Sequence, residues 1–559
     1  MNQRLPVRLR PAAAVLMLLS VSAALATGRS AEPQERSLRE QLIATACQVP
    51  TELLVRTYNG HRPDRSGDID IIPQEPDFVG TGGLPHSGPW DYVGEVPMLW
   101  YGPGYIRAQG ALSRKVTLAD VAPTQVALLD FPFDAPDGTI LREALMPAAD
   151  RGPEPPRLIV VVVWDGAGRN VLAEWPGAWP QLKGMIERGT WYENAEVGSS
   201  PPSTAQIHAT IGTGAFSRNH GLVAHQMRIG DRIATPWEAG PRYLTLPTLA
   251  DLYDRAMGNR PLIGTLATVA IQLGMMGHGS LWGGGDADIA VLREREGAAT
   301  LGAEGISWNL TSSAAPYYRT APYVNDLPPI TEYYEDVDRL DGRVDGRWHE
   351  LRLDDALVEE ALRTPARVPW QTRLVEEVVD REGFGADDVP DLLFINYKLI
   401  DEVGHVDSMN SVQMRDSIKE QDRDLPSLIR ILNEQVGEGR WVLSLVADHG
   451  HTPDPATSGA SVIAPQGVAA AIQSEFDRDG DDVPIVEFTQ PTHVFIDIAE
   501  LEQQGATLNE VSAFLLTVTK GEVQGVDYPV DPAVADERAF LAAYPSTLIE
   551  DLPCLEERV

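Results

Sequence analysis

Cysteine is nearly absent from this chain of 559 residues: only Cys47 and Cys554 occur, one near each end. No cysteine directly follows the N-terminal apolar stretch at its cleavage site, which argues against a lipoprotein anchor. The two thiols leave two outcomes open, a bridge between the ends in an oxidising compartment or a pair of free thiols. Lysine is scarce too, five residues against forty arginines, a bias that reads as genome composition rather than chemistry. Positive charge is outweighed throughout: the formal net charge is −36. That argues against a nucleic-acid polymer as a bulk electrostatic partner. A small anionic substrate stays open, because bound divalent cations would dominate the charge of a site. After the N-terminal stretch no apolar run reaches the roughly 20 residues that a membrane span requires. No internal repeat or low-complexity tract occurs.

What is present begins with an export signal. Arg4, Arg8 and Arg10 precede the apolar stretch Ala12 to Leu25, and Ala24-Leu-Ala26 offers a small-residue cleavage site. Residues 1–26 are therefore expected to be a signal peptide, with a mature protein that is secreted or periplasmic. With 43% apolar residues the chain has enough material for a large core. Leu38 to Tyr58 reads as one helix, Ile69–Ile72 as a short strand, and 79–104 as ordered loop rich in Gly, Pro and aromatics. Leu118–Leu129 and Gly138–Leu145 read as helices. Residues 146–156 form a Pro-rich connector, the clearest boundary in the chain, and close a first segment, 37–145.

From 157 to 278 short aliphatic strands alternate with helices, which predicts an α/β fold with a doubly wound, mostly parallel sheet. Leu158–Trp164 is an unbroken apolar run, as a strand buried on both faces requires. Residues 279–350 lose the alternation and read as an inserted cap. Its aromatics, Trp282, Trp308, Tyr317, Tyr318 and Tyr323, either stack a substrate ring or form the cap's own small core. The pattern resumes over 351–457, with strands Asp391–Tyr397 and Trp441–Ala447 and helices near 370–382 and 412–436. Residues 458–559 complete the same domain.

The side chains that carry chemistry stand at the ends of the aliphatic runs. Asp165 closes the first, Asp448 and His449 close Trp441–Ala447, and Asp401 and His405 lie four apart in Asp-Glu-Val-Gly-His. Thr204 precedes His208 by the same spacing. Open α/β sheets build their sites at the carboxyl ends of strands, and clustered carboxylates and imidazoles there suit a two-metal hydrolase. A hydroxyl becomes a competent nucleophile when its proton is lost to a nearby metal, and Thr204 is the candidate. A threonine before a helix is more often only a cap, so its weight comes from the ligands around it.

Taken in order, Val-Trp-Asp165-Gly, Thr204-x-x-x-His208, Thr213-Gly214, Asn219-His-Gly221, Asp401-x-x-x-His405 and Ala-Asp448-His449-Gly450 resemble the alkaline phosphatase superfamily. The resemblance is to its nucleotide pyrophosphatase/phosphodiesterase branch. It implies an exported hydrolase of small phosphoesters with two divalent metal ions, zinc being usual. It implies one metal held by Asp165, Thr204, Asp448 and His449, and another held by Asp401, His405 and one further histidine. It also implies attack by Thr204 on phosphorus and a phosphothreonine intermediate. Ser203 is a lesser nucleophile candidate, since Thr204 has the family's spacing to His208. His208 and His225 are read as substrate contacts.

The further histidine normally lies near the family's C-terminus. Here Arg65-Ser-Gly-Asp68, Gly80 to Tyr92 and Val96 to Gly104 resemble that C-terminal segment, which places His86 as the ligand and makes the chain a circular permutation. His493 is the runner-up, and His451 is read as a support or substrate contact. The pattern departs from the family in three places. His225 stands where an Asn is usual, Ile207 precedes His208, and Ala267 to Ile271 lacks the Lys and Arg that grip a monoester dianion. The last departure favours diesters. The alternatives are a monoesterase clamped by Arg218 or Arg228, and a non-catalytic binding descendant. A sulfatase fits poorly, because the nucleophile region lacks Cys/Ser-x-Pro-x-Arg.

Overall fold

A computed structural model describes residues 35–80, 84–86, 88–151, 154–293, 306–525 and 529–556. The expected signal peptide lies outside them. At the centre is a sheet of eight strands. In chain order these are β1 (Met98–Tyr101), β2 (Gly110–Thr117), β3 (Leu158–Trp164), β4 (Thr190–Glu196), β5 (Ile263–Leu266), β6 (Ile289–Val291), β7 (Asp391–Tyr397) and β8 (Trp441–Val446). Their spatial order is β6-β5-β7-β3-β8-β1-β4-β2. All neighbours pair in parallel except at β1, which runs against both β8 and β4. The expected α/β fold with a mostly parallel sheet is thus present, flanked by helices such as Arg367–Glu382 and Val412–Leu432.

Every residue of β3, β7 and β8 is buried. Largely apolar runs satisfy that demand, unbroken in β3 and interrupted only by Asp391 and Asn396 in β7 and Ser444 in β8, because a central parallel strand has no solvent face. The three strands start in register, with Leu158 opposite both Asp391 and Trp441. Their carboxyl ends therefore emerge side by side and deliver Asp165, Lys398 and Asp448 to one edge of the sheet.

A second, antiparallel sheet of four strands joins the two ends of the chain. Its order is Val486–Gln490, His493–Ile496, Ile69–Pro73, Phe540–Pro545, and it has an aliphatic core of its own. Beside it Cys47 and Cys554 form a disulfide. They are 507 residues apart in sequence, so the bridge closes a very long loop in the unfolded chain. Replacing both by serine is expected to lower the unfolding free energy by about 2–5 kcal/mol. Denaturant titration of the oxidised protein and the double variant measures this; equal midpoints would mean that the packed ends need no covalent tie.

Several sequence expectations need correction. The helix expected over Leu38–Tyr58 is two helices, 35–46 and Thr51–Gly60. Pro50 lacks the N–H and the freedom to continue a helix, so the chain restarts there. Gly138–Leu145 is not helical. Three of its amides bond to distant groups, Gly138 to the Gly214 carbonyl, Thr139 to the Asp120 carboxylate and Leu141 to the Thr124 hydroxyl, and the remaining local bonds make turns rather than a helical ladder. The loop expected at 79–104 contains β1, which enters the middle of the central sheet. Within the expected cap, Ile289–Val291 is instead the edge strand β6. The cap's aromatics pack inward: Trp308 stacks on Trp370 at 4.6 Å, and the Tyr318 hydroxyl donates to the Gly277 carbonyl. Among the described residues no helix is long and apolar enough to cross a membrane.

Candidate active site

Thr204 opens the helix Thr204–Thr213, all of whose residues are buried. Ser203 is the residue before it, in extended conformation, and its hydroxyl donates to the Gln206 side chain at 2.5 Å. The Thr204 hydroxyl oxygen accepts instead from the Lys398 ammonium at 3.1 Å. Of the two hydroxyls, Thr204 is the one that meets the Asp and His side chains brought together by β3, β7 and β8.

Those side chains form two groups around a shared carboxylate. His86, Asp401 and His405 present their ligand atoms within 4.8 Å of one another, and so do Asp165, Asp448 and His449. A third grouping, Asp401, His449 and His451, links the two. The histidines are oriented in one manner. His86 donates Nδ1–H to the Pro202 carbonyl at 2.9 Å, His405 to Leu84 at 2.8 Å, and His449 to Gly450 at 3.1 Å. A carbonyl only accepts, so each Nδ1 carries the proton and each Nε2 lone pair is left bare. These Nε2 atoms face carboxylate oxygens: His86 to Asp401 at 3.7 Å, His405 to Asp401 at 3.4 Å, His449 to Asp448 at 3.4 Å. Such separations are long for hydrogen bonds, and close to the ~3.3 Å ligand–ligand edge implied by tetrahedral bonds of about 2.0 Å.

The polar bookkeeping agrees. Asp401 Oδ1, Asp448 Oδ2, His449 Nε2 and both ring nitrogens of His451 are buried without a hydrogen-bond partner. Buried polar atoms are costly unless satisfied, and cations held between them would satisfy most at once. Protonation states fit the same occupant. Burial pushes His449 down to about 4 and His451 to about 3, and holds His86 well below its ordinary value, so these imidazoles are neutral at pH 7, as metal ligation requires. Burial acts most strongly, to raise the Asp401 and Asp165 carboxyls, but Lys398 and the neighbouring histidines together outweigh it and both lie below the usual range. Burial, followed by the charge of Asp165, drives Asp448 well above it.

The remaining expected residues fall as follows. His208, expected as a substrate contact, has both ring nitrogens engaged within the protein. Its Nδ1 donates to the Thr204 carbonyl at 2.8 Å and its Nε2 accepts from Asn396 at 2.8 Å. Asn396 and Gln272 in turn donate to Asp165 Oδ2 at 2.8 and 2.9 Å. This network holds the Asp165 carboxylate and the Thr204 helix together. His225 stands exposed at the rim of a cavity of about 300 Å³, also lined by Ser203, His405, Phe488 and Gln490. His493 lies in the small sheet, its Nε2 3.0 Å from Asp70. Arg228 is paired with Asp68 and Glu487, and Arg218 covers the Tyr58 ring, so neither is turned to the site.

Sequence reasoning missed Asn396, Gln272 and Lys398, and placed His451 too far out. A lysine three residues before Asp401, at a strand end, was the available signal for Lys398. His451 is wedged between two glycines: a Cβ on Gly404 would stand 2.4 Å from its ring, and one on Gly166 2.5 Å. Gly404→Ala is therefore expected to displace His451, cost about 1–3 kcal/mol of stability and weaken metal retention. Thermal unfolding and bound-metal analysis check this, and a variant identical to wild type in both would remove His451 from the site.

Residues 159–540 match the family described as type I phosphodiesterase / nucleotide pyrophosphatase. The chain belongs to that family. Among individual proteins of this kind, an alkaline phosphatase, PafA, of Elizabethkingia meningoseptica is 22% identical over 331 residues, 53% of this chain and 60% of that one. A protein named as a calcium-transporting ATPase from Myroides odoratus is 21% identical over 54% of this chain and 61% of its own length. The chain thus spans about three fifths of these relatives. The crystal structure of wild-type PafA superposes with a TM-score of 0.50 at 19% identity, covering 65% of this chain and 76% of that one. That likeness is one of fold.

Proposed function

We propose that this family member is an exported, two-metal phosphoric ester hydrolase in which Thr204 is the nucleophile. The observation that carries the reading is the set of three histidines with Nδ1 tied to backbone carbonyls and Nε2 bare toward buried carboxylates, beside a threonine at a helix start. Asp165, Asp448, His449 and Thr204 would hold one divalent cation, and Asp401, His405 and His86 the other. Imidazole and carboxylate donors suit zinc. Bound there, the cations supply Lewis acidity to phosphoryl oxygens and favour the alkoxide form of the hydroxyl.

The protein's own groups do the rest. Thr204 Oγ forms a bond to phosphorus as the bond from phosphorus to the leaving alcohol breaks. Water then cleaves the phosphothreonine, releasing phosphate or a phosphomonoester and restoring the hydroxyl. His208, Asn396 and Gln272 keep Asp165 and the Thr204 helix in register during both steps. Each Nδ1 keeps its proton and donates it to a backbone carbonyl, so the histidines are positioned as ligands rather than as proton carriers.

Export is supported by the N-terminal Arg-and-apolar pattern and by the disulfide, which persists in oxidising compartments. The permuted order is supported by β1, a strand from the first segment that lies inside the sheet, and by His86 beside Asp401. The test is hydrolysis of chromogenic phosphoric esters by metal-loaded protein, with the chelated protein and Thr204→Ala alongside. Activity that survives chelation would overturn the reading.

A further inference from the structure

We propose that Lys398 grips a non-bridging oxygen of the phosphoryl group at Thr204, and so fits the site to the dianion of a phosphomonoester. This rests on Thr204 being the nucleophile. The ammonium lies 3.1 Å from Thr204 Oγ1, 2.7 Å from Asp165 Oδ1 and 2.6 Å from Asp401 Oδ2. A phosphorus bonded to Oγ1 carries its other oxygens one bond further out, so a cation already touching Oγ1 is within reach of them. A group that Thr204 attacks on the side of Oγ1 facing the ammonium therefore meets Lys398.

Charge gives the contact its purpose. The side chain is only 11% exposed, and an ammonium is retained at such a site only with anionic partners. At present these are the two carboxylates assigned as ligands. Once Asp165 and Asp401 share their charge with cations, the phosphoryl group becomes the anion left for the ammonium to pair with. A monoester dianion carries one more negative charge than a diester and gains more from that pairing. The segment after β5, Ala267 to Ile271, has no cation, and the group its continuation sends to the site is the neutral amide of Gln272. Lys398 thus supplies, from the other side of Asp165, the charge that the segment lacks. The residue type matters in a chain with five lysines and forty arginines. A compact ammonium on a flexible stem shifts from carboxylate to phosphoryl oxygen more readily than a planar fork.

The experiment compares wild type, Lys398→Met and Lys398→Arg, all loaded with zinc, on p-nitrophenyl phosphate and methyl p-nitrophenyl phosphate. Expected is a wild type that favours the monoester, and a kcat/KM loss in Lys398→Met of roughly 10²–10³ on the monoester against less than about tenfold on the diester. Lys398→Arg should recover part of the monoester rate. Calorimetric binding of inorganic phosphate should weaken at least roughly tenfold in Lys398→Met, with metal content unchanged. Equal losses on both esters, or undiminished phosphate binding, would overturn the proposal. Thr204→Ala separates the two readings: if it stays active the nucleophile assignment fails, while the phosphate titration still decides the role of Lys398.

Discussion

Thr204→Ala should cut hydrolysis of any phosphoric ester by roughly 10³-fold or more while leaving the fold intact. A nucleophile that forms a covalent intermediate cannot be replaced by its neighbours without moving the reacting atoms, and losses at such positions are among the largest known. Ser203 is the nearest substitute, but its hydroxyl is committed to Gln206. The structural cost is small by comparison. Thr204 is 2% exposed and its hydroxyl accepts one bond, from Lys398, so the change in stability is expected near 1 kcal/mol. Acid quenching during turnover of a radiolabelled ester should trap phosphothreonine in wild type and phosphoserine in Thr204→Ser, with no label retained in Thr204→Ala. Label on Ser203, or label persisting in Thr204→Ala, would move the chemistry elsewhere.

The second large effect concerns the two histidines between which sequence reasoning had to choose. His86→Ala is expected to lose about one bound metal equivalent and roughly 10²-fold or more in activity. Its ring stacks on His449 at 3.5 Å between centroids and its Nε2 lies 3.7 Å from Asp401 Oδ1, so truncation removes a donor and the packing behind another. His493→Ala should keep both metals. It breaks the contact with Asp70, a residue 2% exposed, and costs about 1–3 kcal/mol of stability. Bound-metal analysis with thermal unfolding of both variants separates the assignments. Metal loss in His493→Ala but not in His86→Ala would refute the permuted arrangement.

Much of the fold was legible because its central strands leave little choice. Leu158–Trp164 and Asp391–Tyr397 are largely apolar over lengths that suit a strand, and a strand buried on both faces needs no alternation to be recognised. The strands that were missed have different surroundings. Met98–Tyr101 is flanked by Gly and Pro, whose turn signals outweighed a short apolar run. Gly110–Thr117 has all of its first six positions exposed or half-exposed and includes Arg114 and Lys115, so its polarity masked it. Gly138–Leu145 failed in the opposite sense, helical in composition but with three of its amides claimed by Gly214, Asp120 and Thr124.

By itself the sequence determined the α/β class, the carboxyl-end carboxylates and the paired spacings Thr204–His208 and Asp401–His405. Each depends on residues close in the chain, and period, run length and helical spacing are local quantities. Only the tertiary structure decided how distant segments share one site. It put His86 rather than His493 beside Asp401, tied His208 to the Thr204 carbonyl and Asn396, slotted His451 between Gly166 and Gly404, and aimed Lys398 at Thr204. Those outcomes depend on which strands lie adjacent and which backbone carbonyls each ring finds, and no spacing along a single segment encodes either.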